Sequence, residues 1–208
     1  MPAIVKAYLA GAAAFLGGSA ALADLTPRQD PKVLAEEIEA EKDHIGALEL
    51  AERLTRNDGS LSIFDLRSQA EFHEFHSPSA QLTTVTSLSN LKLAADKTIV
   101  VYSEGGGHAA QAWVLLRLRG YRNVLFLREG IYEWLSRVDQ PRLAVDATAK
   151  ERTEFTRAAK LSRFFGGSPR ADVPRAEVPL GYWNESDGSD PGAIPPAPGT
   201  KKIRRRGC

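Results

Sequence analysis

Apolar and polar positions follow two alternating patterns through the middle of the chain. Runs rich in β-branched residues predict strands at 61–66, 98–103 and 124–127. Stretches with helical spacing predict helices at 32–42, 47–56, 108–119 and 130–137, with a short helix after the first of these strands. Because strands and helices alternate, the pattern predicts an α/β fold with a small, mostly parallel central sheet, flanked by helices on both faces and joined by right-handed crossovers.

Helix boundary signals support these elements. Asp30 followed by Pro31 is typical of an N-cap and the first helical position. Ser68 and Glu71 have the spacing of a capping box, as do Thr148 and Glu151, which open a helix to about residue 165. Gly120 stands where the helix over 108–119 would end.

The first 23 residues have the composition of a secretory signal peptide. Lys6 precedes an apolar stretch at 7–16, and Ala21-Leu22-Ala23 provides an A-x-A cleavage site before Asp24. The apolar stretch is shorter than the roughly 20 residues that span a bilayer. We therefore expect a periplasmic or secreted protein, with an uncleaved membrane anchor as the alternative.

After Pro141 the composition changes. Phe155, Ala158, Leu161 and Phe165 could share one face of the helix in the segment 141–167 and dock it on the domain. Residues 168–208 are rich in Pro, Gly and basic residues, which predicts a disordered tail with Tyr182-Trp183 as a docking point. The predicted organisation is a signal peptide over 1–23, a helical segment over 24–42, a domain over 43–140, this helix and this tail.

Charge is unevenly distributed. The 208 residues include 27 basic and 26 acidic ones, for a net charge of +1. Acidic residues exceed basic ones up to Gln140, which argues against a nucleic-acid-binding surface on the domain. The tail carries a basic run that could contact an anionic membrane or an acidic partner, formed by Lys201, Lys202, Arg204, Arg205 and Arg206.

Cys208 is the only cysteine. With a single cysteine, one chain can form no internal disulfide, no zinc site built from cysteines and no redox dithiol. His73 and His76 lie three positions apart, but no carboxylate or thiol stands at a metal-ligand spacing from them. We expect no metal and no cofactor.

The segment Tyr102–His108 contains a glycine-rich turn between a predicted strand and a predicted helix, a common anion-binding device. One interpretation is a dinucleotide site, since Gly105-x-Gly107-x-x-Ala110 fits G-x-G-x-x-G/A and Glu129 follows the next strand. The unit lies late in the chain, however, which leaves too few elements to complete that sheet. A serine hydrolase with Ser103 as nucleophile lacks a histidine after His108, and no Walker A loop occurs.

Six short segments around this turn form an ordered series over about residues 43–138. They are Asp65–Arg67, Ser68–Phe72, His76–Ala80, Asp96–Tyr102, Gly120–Val124 and Glu129–Trp134. In this order and spacing they resemble the rhodanese homology domain, whose corresponding motifs are D-x-R, S-x-x-E-[FY], H-I-P-G-A, the strand into the active loop, G-Y-x-N-V and G-G-I-x-x-W. Ser replaces the Ile and the Gly of the third motif, and Glu129 replaces the first Gly of the last. The resemblance implies a rhodanese-like α/β fold.

The resemblance also implies an active loop, and this chain departs from it there. Active rhodaneses begin the loop with a cysteine that carries sulfur as a persulfide, and here Ser103 takes that position. Glu104 stands where Arg or Lys is common, and His108 stands where Arg often closes the loop. The active-site-like loop is therefore Ser103, Glu104, Gly105, Gly106, Gly107 and His108. Asp65, Arg67 and His76 are expected to support it through hydrogen bonds, and Trp113 and Trp134 to be core residues.

We therefore expect a domain that is inactive as a sulfurtransferase. Oxygen cannot form a persulfide, and a serine hydroxyl needs an adjacent base to ionise. The expected role is a binding or regulatory module whose partner is another protein of the cell envelope. Weak sulfur transfer through Cys208 is the alternative, and the dinucleotide site is a second one.

Overall fold

A five-stranded parallel sheet forms the centre of the molecule. The structure, a computed structural model, describes residues 30–56, 59–90, 92 and 96–178. The strands are β1 (His44–Ile45), β2 (Leu61–Asp65), β3 (Ala80–Leu82), β4 (Thr98–Tyr102) and β5 (Val124–Leu127), in the order β1-β5-β4-β2-β3. All four pairings are parallel, so the predicted fold class is confirmed.

Seven α-helices lie in the described part of the chain. They are α1 (Pro31–Glu39), α2 (Ala47–Arg56), α3 (Gln69–Glu74), α4 (Val85–Asn90), α5 (Gly107–Leu118), α6 (Gly130–Trp134) and α7 (Ala149–Phe164). The Ser68 and Thr148 capping boxes both form. A π-helical turn over Leu135–Asp139 extends α6, where the sequence predicts a continuous α-helix to Arg137. α1 ends at Glu39, short of the predicted residue 42.

Each face of the sheet is covered by its own hydrophobic cluster. Leu48 of α2, Trp134 of α6 and Leu161 of α7 pack with Val100 and Tyr102 on one face. Trp113 and Leu116 of α5 pack with Ile99 and Val101 on the other. Consecutive residues of β4 thus point to opposite faces, and the strand is buried on both, as its continuous apolar sequence predicts.

The order of the strands reverses between β2 and β4. From β2 the chain moves outward to β3, then returns to β4 on the opposite side of β2 and continues to β5. In open parallel sheets, ligands bind at such a switch point, in the crevice beyond the carboxyl ends of the strands. Here the crevice lies between the segments that follow Asp65 and Tyr102, which are partners in the strand register.

The C-terminal region contains more structure than its composition suggests. A second, two-stranded parallel sheet pairs β6 (Arg142–Ala144) with β7 (Arg170–Val173), and a 3-10 turn follows at Arg175–Glu177. The expectation of disorder from residue 168 onward is therefore wrong for residues 168–178. Arg175 explains why this segment is ordered, because its guanidinium binds Asp146 at 2.8 Å and Glu151 at 2.5 Å.

Several predicted features lie outside the described residues. These are the signal peptide, the Tyr182-Trp183 pair, the basic run of the tail and Cys208. Among the residues that the structure describes, no helix is both long and apolar enough to pass through a membrane.

The docking of α7 can be tested at Leu161, which is buried in the cluster that includes Leu48 and Trp134. Replacing Leu161 by Ala leaves a cavity there, so we expect Leu161→Ala to lower the free energy of unfolding by about 2–4 kcal/mol. The neighbouring Lys160 is exposed, and Lys160→Ala is the matched control, with a change within about 0.5 kcal/mol. Urea denaturation measures both; equal, small changes would show that α7 is not packed as described.

Candidate functional site

The loop after β4 exposes a row of unpaired backbone donors. Ser103 directly follows the strand and is 3% exposed, while Gly106 takes a left-handed conformation with φ of +88° and α5 begins at Gly107. Among the described residues, no group accepts a hydrogen bond from the backbone N–H groups of 104–108. Such a turn at a helix N-terminus provides donors and partial positive charge for an anion.

The turn between β5 and α6 presses its backbone against this loop. The backbone N–H of Ile131 donates to the carbonyl oxygen of Ser103 at 2.9 Å. A Cβ at Gly106 would lie 2.4 Å from the carbonyl oxygen of Arg128, and one at Gly130 would lie 2.3 Å from that of Ser103. Both glycines have positive φ angles, so these positions need glycine for conformation as well as for space.

A buried carboxylate at the end of β2 organises the other side of the crevice. Asp65 is fully buried and accepts hydrogen bonds from the Arg67 guanidinium, at 2.7 Å, and from the Arg67 backbone N–H, at 2.9 Å. The hydroxyl of Tyr102 accepts from the N–H of Ser77 at 3.2 Å, and the charge of Asp65 acts on it. Burial, with the charge of Asp65, raises the pKa of Tyr102, which keeps it protonated.

Arg67 connects this network to the segment before β3. Its guanidinium donates to the carbonyl oxygen of Phe75 at 2.6 Å and lies 5.7 Å from the centre of the Tyr102 ring. Burial opposes its charge, but the bonds to Asp65 outweigh burial, so the pKa of Arg67 is raised. The guanidinium is therefore a fixed structural cation whose donors are directed into the protein.

The mouth of the loop carries a negative charge. The Tyr132 hydroxyl of α6 donates to Oε1 of Glu104, across the loop. Burial and this carboxylate raise the pKa of Tyr132 to about 12, and the charge of Glu71 acts in the same direction. Glu104 and Glu71 thus both act on the hydroxyl at the mouth, and Tyr132 remains a donor at neutral pH.

A second buried carboxylate supports the β5–α6 turn. Glu133 is 1% exposed and binds Arg128 at 3.0 Å and Arg137 at 3.9 Å. Its Oε2 has no hydrogen-bond partner among the described residues. Burial outweighs the two arginines and raises the pKa of Glu133. The pair with Arg128 fixes the turn that holds Gly130 against the loop.

Three histidines, His73, His76 and His108, lie near the loop in the sequence, and none of them joins the hydrogen-bond network of the crevice. His76 lies outside the crevice network: its Nδ1 is 2.9 Å from the carbonyl oxygen of Phe72, and its ring stacks on that of Phe72. His73 lies 3.3 Å from the side-chain amide of Gln69. His108 is exposed in the first turn of α5. In the part of the chain that the structure describes, no group of three or more His, Cys, Asp and Glu residues could hold a metal ion.

Two departures from the resemblance described above are visible in the segment before β3. Ser79, at the glycine position of the motif, keeps a positive φ of 63°, a conformation that costs a serine about 1 kcal/mol. Ser77, at the isoleucine position, is fully buried, and its hydroxyl has no partner among the described residues. The first serine thus has a conformational cost, and the second leaves a buried hydroxyl without a partner in the described part of the chain.

Comparison with known proteins finds a family that the central segment of the chain resembles. A family model described as "Rhodanese-like domain" matches residues 47–137. These residues contain the loop and every strand of the central sheet except β1. Residues 47–137, less than half of the chain, are thus similar to rhodanese-like domains. No curated protein matches this chain.

Solved structures of rhodanese-like domains resemble this one. The rhodanese-like domain of an Anabaena protein is 25% identical, with 44% of this chain and 72% of that chain covered and a TM-score of 0.40. A rhodanese-related protein from Thermoplasma volcanium is 23% identical over 44% of this chain and 89% of that chain, with a TM-score of 0.39. A rhodanese-like domain protein from Staphylococcus aureus is 21% identical over 44% and 90%, with a TM-score of 0.40.

The structure brings part of the predicted site together. Asp65 ends β2 and Arg67 follows it, beside the strand that leads to Ser103 and Glu104, whereas His76 faces solvent. Sequence reasoning did not select Tyr132 or Tyr102 as site residues. Gly130 was visible within a matched motif, but a single tyrosine on a short helix gives no signal that it will reach a loop 28 residues away.

Gly106 and Gly105 form a matched pair for testing the loop. Gly106→Ala must accommodate a positive φ and a Cβ against the Arg128 carbonyl, so we expect it to lower the free energy of unfolding by at least about 1–2 kcal/mol. Gly105→Ala meets nothing within 4 Å and has no positive φ, so it should cost far less. Thermal unfolding of both variants measures the difference; a tolerated Gly106→Ala would contradict the loop conformation described here.

Proposed function

We propose that this rhodanese-like domain is a binding module that lacks sulfurtransferase activity. The observation that carries the proposal is Ser103 at the carboxyl end of β4, at the head of a loop whose backbone donors are unpaired. A sulfurtransferase needs a sulfur nucleophile there, because oxygen cannot hold sulfane sulfur as a persulfide. Within the described residues, no hydrogen bond joins the Ser103 hydroxyl to a base that would activate it.

The charge at the mouth supports the same proposal. Glu104 holds its carboxylate at the loop through Tyr132, and like charges repel. A doubly charged anion such as thiosulfate would approach the backbone donors against this carboxylate. Rhodanese chemistry uses a thiolate and a positively charged loop entrance. In this chain Ser103 replaces the first and Glu104 replaces the second.

Export is a separate proposal, supported by residues 1–23 alone. Their order of a basic residue, an apolar stretch and Ala21-Leu22-Ala23 is that of a signal peptide. In the envelope, a neighbouring protein is the partner that we propose for the loop face, and the basic run at 201–206 provides a second contact, to that protein or to anionic lipid.

The two alternatives have different support. Cys208 could carry sulfur if the end of the chain reached the loop, and its basic neighbours would lower the pKa of a thiol there. The dinucleotide interpretation loses support from the strand order, since the glycine loop follows β4 in the order β1-β5-β4-β2-β3 and a dinucleotide fold carries this loop after its first strand.

Sulfur transfer from thiosulfate to cyanide tests the proposal. We expect no transfer above background from the wild-type chain or from Ser103→Ala, and measurable transfer from Ser103→Cys in a Cys208→Ser background. Adding Glu104→Gln should increase that gained rate, because it removes the repelling charge. Transfer by the wild type that Ser103→Ala preserves would contradict the proposal, and its loss in Cys208→Ser alone would assign it to Cys208.

The partner can be tested with a photo-crosslinking residue at Gly105. This position is exposed, and a Cβ there meets no neighbour, so a side chain fits. In cells that contain the native envelope, we expect one discrete adduct from position 105 and none from the exposed control position Lys160. Adducts that are equal at both positions, or absent from both, would contradict a protein partner at the loop face.

A further inference from the structure

The amino-terminal edge of the sheet holds a basic cavity far from the loop. It has a volume of about 310 Å³, and Thr98 and Val124, the first residues of β4 and β5, line it. Because β4 is parallel to its neighbours and five residues long, this edge lies about 16 Å from Ser103 along the strand. The cavity is therefore separate from the switch-point crevice.

Cations from four segments line this cavity. They are Lys42 before β1, Arg53 of α2, Arg117 of α5 and Arg122 before β5. The single carboxylate in the lining is Glu37, and Arg117 already binds it at 2.7 Å. Arg53 binds Glu49 at 2.6 Å. In the described part of the chain, neither Lys42 nor Arg122 has a carboxylate within 4 Å, so the cavity keeps an excess of positive charge.

The arginine at the centre of this edge is rigidly held. The Arg117 side chain is only 7% exposed, donates to the carbonyl oxygen of Arg122 and lies 5.6 Å from the centre of the Trp113 ring. Its Nε is buried and has no partner among the described residues. Arg117 therefore holds this edge in shape, whereas the exposed side chains of Lys42 and Arg122 supply donors for an oxyanion with several acceptor oxygens.

A second cavity continues the first along the same edge. It has a volume of about 340 Å³, shares Arg122 and Asn123 with the first and adds Lys97. The two volumes together suit a ligand larger than a single ion. Arg122 lies at the junction, where it reaches either part.

We propose that this edge binds a small organic molecule that carries a phosphate group. The phosphate would lie in the first cavity between Lys42 and Arg122, where a planar guanidinium and an ammonium supply complementary donors. The rest of the molecule would extend into the second cavity beside Lys97 and Asn123. This site is independent of the loop and of any partner that binds there.

Titration of the isotope-labelled full chain with inorganic pyrophosphate, followed by NMR, tests the proposal. We expect the amide signals of Thr98, Arg122, Asn123 and Val124 to shift together and to saturate in the millimolar range. Lys42 and Arg122 are both exposed, so the double variant Lys42→Gln/Arg122→Gln should fold normally. It should bind about tenfold more weakly or worse, since two charge-assisted contacts are lost.

Lys160→Gln is the matched control, because it removes one exposed cation from α7 and should leave the affinity unchanged. Rising salt should weaken binding by the wild type. Shifts confined to residues 104–108 or 201–206, an unchanged affinity in the double variant, or the absence of saturable shifts would each overturn the proposal.

Discussion

The fully buried Asp65 is the constraint on which the crevice depends. A carboxylate without solvent must be paired, and here it is bound by the backbone N–H and the guanidinium of Arg67. Asp65 ends β2 and is the register partner of Tyr102, which ends β4, and the N–H of Leu66 donates to the carbonyl oxygen of Tyr102 at 2.9 Å. The two strands are thus joined beside this carboxylate, at the point where the strand order reverses. Ser103 follows Tyr102 directly, so the same bonds set where the loop begins. The network is intact although the loop that it positions begins with Ser103 and not with a cysteine.

The loop is held from its other side by backbone rather than by charge. Gly106 and Gly130 allow the β4–α5 loop and the β5–α6 turn to approach within distances that any side chain would prevent. The Glu133–Arg128 pair supports that turn, and the Tyr132–Glu104 bond connects α6 to the loop. The shape of an anion cradle is thus kept by elements independent of Ser103, and a negative charge stands at its entrance. A loop that keeps its backbone shape but has a carboxylate at its entrance is suited to bind a ligand other than a small dianion.

Much of this fold was predictable from local patterns, and the exceptions have physical causes. Strand β5 was predicted at its observed bounds and β2 and β4 to within a residue, because buried parallel strands are continuous apolar runs. The two-residue β1 and the segment β7 are too short or too polar to give such a signal, and β7 depends on Arg175 reaching Asp146 and Glu151. At the site, the loop residues follow from the motif, whereas Tyr132 reaches Glu104 only through tertiary packing.

The central claim is that the loop keeps the shape of a cradle for sulfane sulfur, so that the missing thiolate prevents sulfur transfer and the Glu104 charge only slows it. Intact-mass spectrometry of the Ser103→Cys/Cys208→Ser chain after incubation with thiosulfate tests it most directly, since a thiolate that takes the sulfane sulfur releases sulfite and keeps one sulfur atom. The account predicts a gain of one sulfur atom at residue 103, reversed by cyanide, and no gain in Cys208→Ser alone. A folded Ser103→Cys variant that takes up no sulfur would contradict it, because the loop would then have lost more than its cysteine.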